Sequence, residues 1–127
     1  MRQCRHGFGV PRVLVVDDEG LIASVAAESL SDEGYEVRSA GDGRSALALV
    51  LDWIPCLILL DIMMPVMDGR AFLRELWRLE NLAATPVVLV SGAGGPMLSD
   101  VSMRVADVIR KPFNFDRLLD TVSRLAT

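Results

Sequence analysis

Five polar side chains lie at or just beyond the ends of short apolar runs, and their chemical types suit metal and phosphate chemistry. They are Asp17, Asp18, Asp61, Ser91 and Lys111, the last of which is the only lysine of the chain. Carboxylate oxygens are ligands that Mg²⁺ prefers, and a lysine and a hydroxyl can together hold a phosphoryl group. The set is typical of a carboxylate nucleophile accompanied by a metal ion and two phosphate-holding side chains.

Three carboxylates gathered at one point repel one another. Two unit charges about 4 Å apart interact by about 4 kcal/mol at an effective dielectric constant of roughly 20. A protein holds such a group where a cation binds or a proton is shared. Each residue alone has an ordinary structural explanation, such as a helix cap for Asp18, a loop residue for Asp61 or a solvated surface charge for Lys111. The combination, in which different strands each supply one group, favours a functional site.

A parallel sheet is the element that would bring these residues together. Five short apolar runs alternate with helical patterns and predict strands at Arg12–Val16, Tyr35–Ala40, Cys56–Leu60, Pro86–Val90 and Val108–Ile109. Helices are predicted over Glu19–Glu33 and over Gly69–Glu80. Two more are predicted to begin at capping residues, one from Asp42 to a point before Pro55 and one after Asn114. A short helix, the fourth along the chain, is predicted between Met97 and Val105. This alternation predicts an α/β fold with an open, doubly wound, five-stranded parallel sheet, in which ligands bind beyond the carboxyl ends of the strands.

Length and composition limit the classes of protein to which this chain can belong. The 127 residues carry a net charge of −4 and are 51% hydrophobic, which fits one globular domain and disfavours nucleic-acid binding through bulk charge. No apolar stretch approaches the ~18 residues that cross a bilayer. We expect a flexible tail over residues 1–11 and a single domain over residues 12–127. We also expect Cys56 to be a buried small hydrophobic residue, because two cysteines make no disulfide framework.

Three motifs give the chain a close resemblance to the receiver domain of bacterial two-component response regulators. Asp61–Gly69 has the sequence D-I-M-M-P-V-M-D-G, which resembles the D-x-x-M-P-x-M-D-G of that family. Val16–Glu19 and Lys111–Phe113 are the other two landmarks, and the match spans about residues 12–125. The resemblance implies a flavodoxin-like arrangement with the strand order 2-1-3-4-5.

The resemblance implies a metal site built from the acids. Asp61 matches the phosphoacceptor of the family and also contributes to the binding of Mg²⁺. Asp18 matches the direct ligand of the ion, and Asp17 matches the ligand that usually acts through water. The backbone carbonyl of Met63 matches the third protein ligand.

The same resemblance places two further side chains against the phosphoryl group. Lys111 matches the lysine that pairs with the phosphoryl oxygens, and Ser91 matches the hydroxyl that moves toward them and reports the phosphorylated state. The implied function is that of a cytoplasmic signalling receiver and not of an enzyme with an outside substrate. In this function Asp61 takes a phosphoryl group from a sensor histidine kinase or a histidine phosphotransfer protein, and the domain changes conformation. Neither nucleic acid nor a membrane is an implied partner of this domain, whereas a homodimer through the face of the predicted fourth and fifth helices is consistent with the family.

Two other functions compete with phosphorylation-dependent signalling. A phosphorylation-independent interaction module on the same fold gains support from Val108, which stands where the family often has an aromatic residue three positions before the lysine. The Gly94–Pro96 stretch also supports it, since it predicts a short or displaced fourth helix. The intact acids and Lys111 weigh against it. A Mg²⁺-dependent phosphohydrolase would need a second acid close to the nucleophile, but Met63 stands two positions beyond Asp61.

We predict that this domain loses its phosphoryl group slowly. In the family, the residues two positions beyond the acceptor and two beyond the hydroxyl tune hydrolysis, and here they are Met63 and Ala93, whose side chains orient water poorly. The decay of the phosphorylated form, followed by intact mass after removal of the phosphodonor, should therefore take much longer than seconds. A half-life of seconds would contradict this prediction.

Overall fold

The computed structural model describes residues 10–18, 20–61, 69–91, 104–110 and 113–126. Within these ranges the elements follow in the order β1 (Arg12–Val16), α1 (Gly20–Asp32), β2 (Glu36–Ala40), α2 (Gly43–Asp52), β3 (Leu57–Leu60), α3 (Gly69–Leu76), β4 (Val87–Ser91), β5 (Asp107–Arg110) and α4 (Phe115–Leu125). Among the described helices, none has the length and apolar character needed to pass through a membrane. This succession follows the alternation of strands and helices predicted from the sequence.

All five strands form one parallel sheet in the order β2-β1-β3-β4-β5. The predicted fold class and strand order are therefore confirmed. Because the strands are parallel, the residues that follow them leave the sheet at one common edge, which we call the carboxyl edge, and the strands begin at the opposite, amino edge. The strand order reverses between β1 and β3, so the crevice beyond these two strands is the expected ligand site.

Alternating residues of the central strands pack into two hydrophobic layers, one on each face of the sheet. Leu14 and Ile58 belong to the layer that contains residues of α2 and α3. Val13 and Leu57 belong to the layer that contains residues of α1 and α4. β3 is buried along its whole length, which explains its continuously apolar sequence. β2 is largely exposed, as expected of an edge strand with an alternating sequence.

Two capping hydrogen bonds and one glycine conformation confirm the predicted ends of three helices. Asp42 caps α2, and its carboxylate accepts a hydrogen bond from the N–H of Ser45 at 2.8 Å. Asn114 caps α4, and its side-chain oxygen accepts a hydrogen bond from the N–H of Asp116 at 2.6 Å. Gly34 follows α1 with a φ of 96°, a left-handed conformation that glycine adopts without strain.

α3 ends at Leu76, which corrects the predicted helix end at Glu80. The N–H groups of Arg78 and Leu79 donate to carbonyls three residues earlier, at 3.2 and 3.1 Å, instead of to carbonyls four residues earlier. This change of hydrogen-bond pattern converts the end of the helix into turns. The apolar spacing beyond Leu76 was therefore a sign of burial and not of continued α-helix.

β5 is longer than the predicted strand Val108–Ile109. Asp107 and Arg110 extend it by one residue at each end, because their backbones pair with β4 although their side chains are polar. The predicted helix between Met97 and Val105 lies almost wholly outside the described residues, and its described end forms turns and bends. The predicted tail also falls largely outside them, so the domain boundary at residue 12 stays a prediction.

Cys56 is fully buried directly before β3, as expected, and its Sγ accepts a hydrogen bond from the N–H of Arg12 at 3.3 Å. It is also disulfide-bonded, which corrects the expectation that it acts only as a small hydrophobic residue. Cys4, the other cysteine of the chain, lies outside the described residues. Two cysteines are too few for a disulfide framework, but their number does not exclude a single disulfide.

The fold predicts a strong contrast between two leucine-to-alanine variants. Leu14 is completely buried in the sheet, whereas Leu51 on α2 is 65% exposed. Leu14→Ala should lower the free energy of unfolding by about 2–5 kcal/mol, because it leaves a cavity in the core. Leu51→Ala should change it by less than about 0.5 kcal/mol. Urea denaturation measures both values, and equal losses would contradict the described packing.

Candidate functional site

The register between β1 and β3 places two of the acids side by side. Val16 and Leu60 are partners in this register, and Asp17 and Asp61 are the next residues along their chains. The N–H of Asp17 donates to the carbonyl of Ala40 at 3.0 Å, and the N–H of Asp61 donates to the carbonyl of Val16 at 2.9 Å. These bonds continue the sheet by one residue and fix the positions from which both side chains start.

Asp17, Asp18 and Asp61 form an acidic triad at the carboxyl edge. Each residue offers one carboxylate oxygen, and these three oxygens lie within 4.8 Å of one another. Asp17 and Asp61 are only 7% and 5% exposed, whereas Asp18 is open to solvent. The structure therefore brings together the three acids that the sequence analysis selected, with two of them largely removed from water.

A small cavity of about 20 Å³ adjoins the two buried acids. Apart from Asp17 and Asp61, its lining is apolar and consists of Val15, Val16, Ala26, Leu59, Val90, Phe113 and Leu118. The cavity has room for about one water molecule. Apolar surroundings screen charge poorly, so they strengthen both the repulsion within the triad and its attraction for a cation.

The geometry of the triad fits a hard divalent cation. Oxygens bound to one octahedral Mg²⁺ at about 2.1 Å lie about 3 to 4 Å apart, so three carboxylates within 4.8 Å need only small movements to share an ion. The exposure of Asp18 leaves one side of such an ion open to water or to a phosphoryl oxygen, as Mg²⁺ prefers. The triad is therefore of the kind that holds Mg²⁺, and its three carboxylates are the groups that would bind the ion.

Of the remaining predicted site residues, only Ser91 belongs to the part of the chain that the structure describes. Ser91 is the last residue of β4, the strand next to β3, and its register partner on β5 is Arg110. Its backbone therefore lies at the carboxyl edge, on the strand beside that of Asp61. Lys111 and Met63 lie outside the described residues, so their roles stay predictions.

Phe113 contributes to the site, although the sequence analysis treated it only as part of a motif. Its side chain lines the cavity beside Asp17 and Asp61 and makes an edge-to-face contact with Phe115, with ring centroids 5.2 Å apart. An apolar residue carries no chemical signal in a sequence, and its proximity to Lys111 was the only indication. Its role is to close the apolar floor beneath the acids.

A model of the response regulator receiver domain family matches residues 13–123 of the chain. Among curated proteins, the DNA-binding dual master transcriptional regulator RpaA of Synechocystis is 32% identical over 118 residues, which cover 91% of this chain and 49% of that protein. The chain spans about a quarter to a half of the length of the curated relatives that it matches. The similarity therefore concerns one domain of longer proteins.

Solved structures share the fold over most of the chain. The receiver domain of NtrX from Brucella abortus is 41% identical, with a TM-score of 0.79 over 90% of this chain and 97% of that one. The response regulator protein TrrA from Thermotoga maritima, solved in complex with Mg²⁺-BeF, is 32% identical, with a TM-score of 0.80 over 91% of this chain and 99% of that one. Sequence and fold thus agree on the same family.

Replacement of Asp18 by asparagine should stabilise the metal-free domain. The variant removes one of three mutually repelling charges at nearly constant size, so the free energy of unfolding should rise by roughly 0.5–1 kcal/mol in Mg²⁺-free buffer of low ionic strength. Asp120→Asn removes the same charge from the exposed face of α4 and should change the stability by less than about 0.5 kcal/mol. Urea denaturation gives both values, and a clear loss of stability in Asp18→Asn alone would argue against repulsion within the triad.

Proposed function

Because this chain belongs to the family of response regulator receiver domains, we propose that Asp61 is the residue on which it accepts a phosphoryl group. The family is one of signalling domains in two-component systems and not of catalytic enzymes, in agreement with the function that the sequence indicated. The observation that carries the choice of Asp61 is its place at the end of β3, where it is buried and shares the triad with Asp17 and Asp18.

The proposed step transfers the phosphoryl group between two side chains. A carboxylate oxygen of Asp61 attacks the phosphorus of a phosphorylated histidine. The new P–O bond forms as the P–N bond breaks, and the imidazole leaves with the electron pair of that bond and takes up a proton from solvent. The product is an acyl phosphate on Asp61, which by analogy with other phosphorylated side chains carries about −1.5 to −2 charges at one point.

The acids have the proposed task of holding Mg²⁺ beside the reacting group. A bound Mg²⁺ would supply the positive charge that offsets the carboxylates and the phosphoryl oxygens. In this proposal Asp18 contacts the ion directly, Asp17 contacts it through water, and the carbonyl of Met63 completes the protein ligands. The compact triad and the similarity to a regulator solved with Mg²⁺-BeF support this assignment.

In this proposal, Ser91 and Lys111 contact the phosphoryl group and so distinguish the phosphorylated from the unphosphorylated domain. Ser91 ends β4, and Lys111 follows β5 directly in the sequence; these two strands lie on the same side of β3, the strand that precedes Asp61. Each offers a contact that only the phosphorylated form provides. A difference of a few kcal/mol in such contacts is enough to shift the balance between two conformations.

The proposed partner is a protein that carries a phosphorylated histidine, either a sensor histidine kinase or a histidine phosphotransfer protein. The family supports such a donor, and the exposed Asp18 marks the side from which an imidazole ring can approach the triad.

DNA binding is named for the relative RpaA, of which this chain covers only half. We propose that this domain itself binds no nucleic acid. A homodimer through the surface that includes α4 is also part of the proposal.

Phosphorylation of Asp61 is directly testable by mass. After incubation with Mg²⁺ and a small phosphodonor, the intact protein should carry one phosphoryl adduct. Asp61→Asn should lose the adduct, because an amide oxygen is a far weaker nucleophile than a carboxylate. Removal of Mg²⁺ by a chelator, and Asp18→Asn, should each slow the formation of the adduct at least about tenfold, since both weaken charge neutralisation in the transition state.

Asp120→Asn is the matched control, since it removes one negative charge from α4 and should be phosphorylated at the normal rate. An adduct that persists in Asp61→Asn would place the acceptor elsewhere. No adduct on the unchanged protein, with donor and Mg²⁺ both present, would favour the phosphorylation-independent interaction module.

A further inference from the structure

A cleft of about 400 Å³ opens at the amino edge of the sheet. Its lining residues are Arg74, Glu75, Trp77, Arg78 and Arg104. α3 connects the carboxyl end of β3 with the start of β4, so its last turn approaches the amino edge, and Arg104 lies just before the start of β5. The cleft is therefore at the opposite edge from the acidic triad, and its volume is in the range of small-molecule sites.

The cleft is positively charged although the chain as a whole is acidic. Three guanidinium groups and one carboxylate line it, which gives a net charge of +2 in a chain of net charge −4. Glu75 pairs with Arg78 at 3.3 Å. Among the described residues, Arg74 and Arg104 make no ion pair. Like charges gathered in this way repel one another, and a bound anion would relieve the repulsion.

Trp77 holds one of the guanidinium groups in place. The Cζ atom of Arg104 lies 4.3 Å from the centroid of the indole ring, and the half-buried indole packs against the hydrophobic layer that contains α3. A guanidinium that rests on a fixed ring loses little freedom when it binds an anion, and the N–H donors at its rim stay available. Arg104 is therefore prepared for binding before any ligand arrives.

The second tryptophan of the chain provides an internal comparison. Arg12 and Arg38 lie over the ring of Trp53, with Cζ to centroid distances of 5.4 and 5.1 Å. There, Glu36 accepts a hydrogen bond from the indole N–H at 2.9 Å and pairs with Arg12 at 3.5 Å. At Trp53, a carboxylate thus already pairs with the stacked arginine Arg12. In the amino-edge cleft, the single carboxylate pairs with Arg78, which is not the arginine stacked on Trp77.

We propose that the cleft formed by Arg74, Trp77, Arg78 and Arg104 binds a small molecule that carries phosphate groups. A guanidinium donates two parallel hydrogen bonds to phosphate oxygens, and Arg74 and Arg104 are the two groups that can do so without the loss of an existing ion pair. The charge of a phosphate dianion matches the net charge of the lining. This site is separate from the phosphorylation site, since none of its residues belongs to the acidic triad.

Inorganic pyrophosphate is a suitable probe, titrated in Mg²⁺-free buffer so that the negative triad repels it. In ¹H–¹⁵N spectra, the indole N–H of Trp77 and the backbone N–H groups of Arg78 and Ala106 should shift and reach saturation. The indole N–H of Trp53 should not shift. Asp61→Asn should bind the probe as the unchanged protein does, so this result is independent of the proposed phosphorylation.

Variants of single arginines test the specificity of the cleft. Arg74→Gln and Arg104→Gln should each weaken pyrophosphate binding about tenfold or more, because each removes charge-assisted hydrogen bonds. Arg44→Gln removes the same charge from an exposed position on α2 and should leave the affinity unchanged. Equal shifts of both indole signals, no saturation in the millimolar range, or an equal loss of affinity in Arg44→Gln would overturn the proposal.

Discussion

The parallel pairing of β1 with β3 is the constraint on which the acidic site depends. Val16 and Leu60 are partners, so the aspartates that follow them leave the sheet together, and backbone hydrogen bonds prevent them from separating. Repulsion of a few kcal/mol between such carboxylates opposes folding. Burial of a single large apolar side chain contributes about 1.5–3 kcal/mol, and the two layers hold many such side chains. Burial of the hydrophobic core therefore outweighs the repulsion between the carboxylates, and the short distances between these carboxylates give the site its affinity for a cation.

The edge strand β5 pairs with β4 along its whole length, from Asp107 to Arg110, and further contacts join its start to α4. At the amino edge, Asp107 pairs with Arg117 at 3.7 Å and with Arg124 at 3.3 Å, which joins the start of β5 to α4. Such half-exposed pairs contribute at most about 1 kcal/mol each. Lys111 is the next residue in the sequence after this strand. New contacts beyond β5 would therefore act on an edge strand whose backbone pairs with a neighbouring strand on one side only, which suits a conformational switch.

The sequence predicted best those features that depend on local patterns. The apolar run of β3 and the caps Asp42 and Asn114 were predicted correctly, because burial and helix capping each favour particular residue types at adjacent positions. The end of α3 was missed, since partly buried apolar side chains continue past it into turns. The amino-edge cleft could not be predicted from the sequence, because Trp77 and Arg104 are far apart along the chain and only the folded sheet brings them together. Lys111 was selected from its position after the fifth apolar run and Met63 through the family motif, and both residues lie outside the described part of the chain.

The acidic triad and the amino-edge cleft lie at opposite edges of one sheet, and this separation limits the electrostatic influence of each site on the other. A strand of five residues such as β1 is about 16 Å long. This length exceeds the Debye length of about 8 Å at physiological ionic strength, so direct attraction between the two sites is largely screened. Coupling would need a packed element with two arrangements, and α3 is a packed helix that supplies Arg74 and Glu75 to the cleft. Because Phe72, Leu73 and Leu76 bury one face of α3 completely, small shifts are resisted and the two sites act independently unless the whole helix moves.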